Sequence, residues 1–184
     1  MMNRKKILAL TVLFFSLYAS QPLAEKVRIL NLKIFYDAQF LVMSTKANLN
    51  LNESIVEALD SNILIPFRIE VKLTRNGFFR FKRKIQIKTF NFTLAKYALG
   101  DQYVVTDQQS GTTISFPTLE KAKQHLENRQ RLIIAEKKSL VIQKPTEVAI
   151  RWRLMRSGLP IPMLLPTLFS SQWNLDSGWN FYRI

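Results

Sequence analysis

No cysteine occurs among the 184 residues, and histidine occurs once, as His125. Without thiols there are no disulfides, no thiol catalysis and no thiolate metal site, so stability has to come from packing. With a single imidazole, a transition-metal centre lacks its usual ligands, which leaves no cofactor to assign. Acids are scarce as well, 13 against 27 lysines and arginines. A pair of carboxylates working on a glycoside therefore has few positions to come from. The serines stand in neither a Gly-x-Ser-x-Gly elbow nor a Ser-x-x-Lys motif. The chain reads as non-enzymatic.

Long hydrophobic runs are missing too. The most apolar stretch, Ile7 to Leu17, follows Arg4, Lys5 and Lys6. As a helix it spans about 16 Å at roughly 1.5 Å per residue, against about 30 Å of bilayer hydrocarbon. A basic n-region before a short apolar core is the pattern of a secretory signal, with Ala19 or Ala24 as the last residue removed. Residues 1–24 are assigned to that signal and residues 25–184 to one domain. The expected address is the periplasm of a bacterial envelope, with no transmembrane helix after cleavage and an N-terminal anchor without it. Loss of the three leading cations leaves 24 basic and 13 acidic residues, a surplus of +11.

What is present is strand pattern. There is no repeat, low-complexity tract or Pro/Gly/Ser linker. Strand candidates run from Val27 to Tyr36 and from Phe40 to Ala47, followed by a short helix for which Asn50 and Glu53 offer a capping box. Phe67, Ile69, Val71 and Leu73 then alternate with polar residues, as do Phe79, Phe81, Ile85 and Ile87. Keeping both apolar sets on one face requires odd positions to pair with odd, which predicts a three-residue loop at Arg75-Asn76-Gly77. Beyond Ile87 the apolar residues become even-numbered, which places a bulge near Lys88-Thr89. A second hairpin is expected at Tyr103–Thr106 and Thr112–Phe116. A helix is expected from Thr118 to about Arg131, with His125 on its solvated side. A strand at Glu147–Met155, a proline-punctuated loop at Leu159–Pro166 and a last strand from Trp173 complete the chain. Trp173, Leu175 and Trp179 alternate and are expected in the core. Many strands with two short helices predict a mainly β fold, an antiparallel β sandwich or open barrel.

The strongest physical feature is the polar side of the central hairpin, where Arg68, Lys72, Arg80, Lys82, Lys84 and Lys88 are expected to project together with Glu70. Like charges across a strand pair repel, so such a strip suits an anionic partner. An acidic protein surface of the envelope, an anionic lipid or an acidic glycan are the candidates. Nucleic acid fits the charge but not the exported address. A lysine-rich face also guards an edge strand against aggregation, which stays open as the alternative.

Several landmarks occur in order: Tyr36-Asp37, the helix Ser54–Leu59 followed by Ile65-Pro66-Phe67, Ala98-Leu99 with Gln102–Val105, Phe116 with Leu119 and Ala122, Leu159-Pro160-Ile161-Pro162, and the closing Trp173-x-Leu-x-Ser-Gly-Trp179. With these the chain resembles a bacterial family of exported proteins, DUF4390. The resemblance implies no catalytic residues, and an association with membrane sensor histidine kinases encoded beside such proteins. The chain departs from the family at Phe78–Phe81, where tryptophans are usual.

Overall fold

The structure is a computed structural model that describes residues 27–76, 82–97, 100–143 and 145–184. The expected signal segment, the hairpin tip at 77–81 and Ala98-Leu99 lie outside the described residues.

Two antiparallel sheets carry the fold, as expected of a sandwich or open barrel. The strands are β1 (Val27–Asp37), β2 (Phe40–Leu49), β3 (Ile65–Asn76), β4 (Lys82–Tyr97), β5 (Gln102–Asp107), β6 (Thr113–Phe116), β7 (Asn128–Glu136), β8 (Glu147–Leu154) and β9 (Asn180–Arg183). Helices α1 (Glu53–Asp60), α2 (Leu119–Glu127), α3 (Lys137–Gln143) and α4 (Ile161–Phe169) are interspersed. The smaller sheet has the order β1-β2-β7 and the larger β6-β5-β4-β3-β8-β9. Alternation explains the core between them. Leu41, Met43, Ala47 and Leu49 of β2 face Ile65, Phe67, Ile69, Val71 and Leu73 of β3, and all are buried with Val148, Ile150 and Trp152 of β8.

Helix α1 begins at Asn52 rather than Asn50, because the Asn52 Oδ1 accepts the Ile55 N–H at 3.2 Å. Its Ile55, Ala58 and Leu59 are buried against the larger sheet. Helix α2 starts at its expected cap Thr118 but stops at Glu127, where the chain turns directly into β7. The switch is held by Arg129. Its Nε donates to the Leu126 carbonyl at 3.1 Å, its Nη2 donates to the His125 carbonyl, and its guanidinium lies 4.7 Å from the Phe92 ring centroid. These last-turn carbonyls have no partner within the helix, and a cation suits the negative end of its dipole. Burial pulls the Arg129 pKa down to about 10. His125 is half-buried with its ring against Phe116, not on a solvated side as expected, and desolvation with the Arg129 charge lowers its pKa.

The proline segment is not a loop. It forms α4, with Pro162 in the first turn, where a missing N–H costs nothing. Trp173 lies in a single 3₁₀ turn (Ser171–Trp173) instead of a strand. That turn is tied to α1 by the Asn52 Nδ2 donating to the Gln172 carbonyl at 2.5 Å and by a Ser54–Gln172 side-chain bond of 2.7 Å.

Candidate functional site

One-residue register shifts decide what the outer face of the larger sheet displays. Strand β3 continues through Arg75 and Asn76, which pair with Arg83 and Lys82, so the expected Arg75–Gly77 loop is not formed. Leu73 pairs with Gln86 but Thr74 with Lys84, which leaves Ile85 as an extra residue. The bulge is at Ile85, not at Lys88-Thr89. Its consequence is a change of face for all of β4 that follows. Phe90, Phe92 and Leu94 pair with Ile69, Phe67 and Ile65 inside, while Ile87 pairs with Lys72 outside and is 46% exposed. Lys88, expected on the outer strip, pairs with the inward Val71 and leaves the strip.

The C-terminal segment has a similar shift. Asp176 bridges to Arg153, and Leu154 N–H bonds to the Leu175 carbonyl at 2.9 Å, which sets Leu175 in the core. After Gly178, at φ +64°, the register moves by one, since Asn180 pairs with Ile150. Trp173 and Leu175 are therefore buried as expected, but Trp179 is not in the core. It sits half-buried on the outer face, with the Lys72 Nζ 4.3 Å from its ring centroid and the Arg151 guanidinium 6.0 Å away.

Of the six strip residues, the structure brings Arg68 and Lys72 onto this face. Lys82 and Lys84 stand opposite Asn76 and Thr74 in backbone register, and Arg80 lies outside the described residues. Two cations that the hairpin alone does not reveal complete the face, Arg151 and Arg153. Strand β8 lies beside β3 and sets them opposite Glu70 and Arg68. The Arg153 Nη2 meets Glu70 at 2.7 Å, the Arg151 Nε donates to both Asp176 oxygens at 2.9 and 3.1 Å, and the Arg68 Nε donates to Asn91 at 2.8 Å. Burial works to raise the Asp176 carboxyl, but Arg151, the Gly178 N–H and the charge of Arg153 overcome it and hold Asp176 below its ordinary pKa. These partners fix the arginines in place. The Lys72 ammonium instead rests on an indole.

One row across four strands places three apolar residues beside Lys72 on the outer face. Ile87, Lys72, Ala149 and Phe181 follow one another in register, with Phe181 55% exposed and Ala149 wholly covered. Strand β3 is flanked on both sides, so guarding a sheet edge does not account for Arg68 and Lys72, although it applies to the stretch of β4 that extends past β5. Among the described residues, no cluster of three or more His, Asp or Glu is placed to hold a metal, and no helix is long and apolar enough to cross a membrane.

A two-sheet antiparallel fold whose larger sheet shows an aromatic and cationic outer face is the class these observations define. The chain belongs to the DUF4390 family, a domain of unknown function, which it matches over residues 24–182. No curated protein and no solved structure matches the chain.

Proposed function

We propose that this is an exported, non-enzymatic protein of the bacterial envelope that docks an acidic protein partner on the outer face of its larger sheet. The observation that supports it is the row Ile87–Lys72–Ala149–Phe181 with Trp179 laid on Lys72. A solvated sheet face normally carries polar residues, whereas aromatic side chains with arginine at a fixed centre and charge at the rim are the composition of docking surfaces. Arg151, Arg68 and Arg153 follow on one side of this row, and the chain's surplus of positive charge favours encounter with an acidic surface. The association with sensor histidine kinases that the resemblance implies makes the extracytoplasmic part of such a kinase a partner to test. A photo-crosslinking amino acid at position 181 should give one defined adduct in intact envelope, lost on Lys72→Glu. The same probe at Val141, 64% exposed on α3, should give none. Equal adducts from both positions, or none from position 181, would overturn the proposal.

A further inference from the structure

Among the described residues β1 and β9 are edge strands of their sheets, and the two sheets part between them. On β1, Leu32, Ile34 and Tyr36 pair with the inward Thr45, Met43 and Leu41, so they belong to the inner face. Yet Leu32 and Ile34 are only half-buried and Tyr36 is 57% exposed, while Met43 and Leu41 are closed off. Across from them Tyr182, paired with the inward Val148, is also half-buried. Strand β9 has only four residues and does not run far enough to cover β1. What remains is a groove of about 560 Å³ lined by residues 32 and 34–36 of β1 and by Tyr182, with Leu41, Pro145, Arg183 and Ile184.

From this geometry we infer that the groove is a binding site for one acyl chain of an amphiphile with an anionic head, a site separate from the outer docking face. The volume falls in the range of roughly 300–1,000 Å³ typical of small-molecule sites, which are mostly apolar with a few polar groups at the rim. At roughly 30 Å³ per heavy atom, the share a water takes in the liquid, a twelve-carbon chain fills about 360 Å³. The charge at the rim selects the head. Arg183 lines the groove, Lys137 Nζ stands 5.9 Å from the Tyr36 ring centroid, and none of the lining residues among those described is acidic. Asp37, next along β1, is engaged by Arg131, and Glu147, opposite Arg183 in register, is hydrogen-bonded by Thr74 Oγ1 at 3.3 Å. The raised pKa of the Tyr182 hydroxyl, caused by burial, agrees with an apolar wall.

The test is isothermal titration of the full chain without residues 1–24, using dodecanoate, decanoate and dodecyl maltoside below their micellar concentrations. Saturable binding of one dodecanoate is expected, with decanoate weaker by about fifteenfold, since each of the two buried methylenes it lacks is worth a factor of about four. Tyr36→Glu, at a position exposed enough to leave the melting temperature unchanged, should weaken dodecanoate at least tenfold. Ile34→Asp should do the same from inside the groove. Arg183→Glu should weaken dodecanoate but not the maltoside, and Lys72→Glu should change neither, which separates this site from the outer face. No saturable binding, equal affinity for ten and twelve carbons, or indifference to both Tyr36→Glu and Ile34→Asp would overturn the inference. So would a dimer, seen by light scattering, that Tyr36→Glu dissociates, because a second copy would then fill the groove.

Discussion

Replacing Trp179 by alanine separates a surface aromatic from a core one. The indole is half-buried on the outer face over Lys72, whereas Trp152 on β8 is fully buried among Ile69 and its neighbours. Truncating Trp179 removes about 100 Å² of buried apolar area beyond what alanine retains, worth about 2.5 kcal/mol at roughly 25 cal/mol per Å². Loss of the stacked ammonium adds about 0.5–1 kcal/mol. The sum of about 3 kcal/mol should lower the melting temperature by about 6–12 °C in a chain of this size. Trp152→Ala, leaving a cavity, should cost at least 3–5 kcal/mol. Thermal and urea melts of Trp179→Ala, Lys72→Met and the double variant give the coupling between the two side chains, expected at about 0.5–1 kcal/mol. Lys72→Met keeps the aliphatic stem and removes only the charge. A coupling indistinguishable from zero would refute the placement of the indole on the outer face over Lys72.

Acid should weaken the C-terminal clamp. The folded Asp176 carboxyl titrates below its ordinary value of 3.8, so its stabilisation is complete above that value and is lost as pH falls through the lower folded one. Urea midpoints measured from pH 6 to pH 3 should fall more steeply for the wild type than for Asp176→Asn, and parallel curves would contradict this. A methyl group at Gly158 would stand 2.8 Å from the Pro66 Cγ, on a stiff ring. Gly158→Ala should therefore cost about 1–3 kcal/mol in a urea melt, and a neutral result would mean that the 3₁₀ turn yields freely. The mass of the protein recovered from the envelope should correspond to a chain starting after Ala19 or Ala24. Recovery of the full-length mass would show an uncleaved N-terminal anchor.

Much of the sheet was legible because alternation survives on long strands. β3, β5, β6 and β8 lie within a residue or three of where their apolar periods put them. What escaped was caused by single residues. The bulge at Ile85 and the shift at Gly178 each insert one position, which alternation does not mark, and each turns the following side chains to the other face. Thus Ile87 and Trp179 read as core and are outside. Strand β7 was hidden because Asn128–Glu136 follows α2 with no glycine or proline to break the helix. The break is made by the Arg129 cap and by Arg131 at φ +55°. The prolines of Leu159–Pro166 suggested a loop because the place of Pro162 in a first turn is visible only once Pro160 is known to be the cap. Arg151 and Arg153 were visible as alternating cations on β8, but their company with Arg68 and Lys72 depends on β8 lying beside β3, a long-range pairing that no local pattern encodes. The groove is similar, since it exists only because a four-residue strand faces an eleven-residue one.

The absence of native cysteine allows the central proposal to be tested with one added thiol at a time. Phe181→Cys and Val141→Cys, both at exposed positions, can be labelled with a maleimide in intact envelope and again after purification. If the outer face is occupied by a partner, Phe181→Cys is protected in the envelope and labels fully once purified, while Val141→Cys labels in both. Equal labelling of Phe181→Cys in the two states would contradict the proposal that this face is a docking surface.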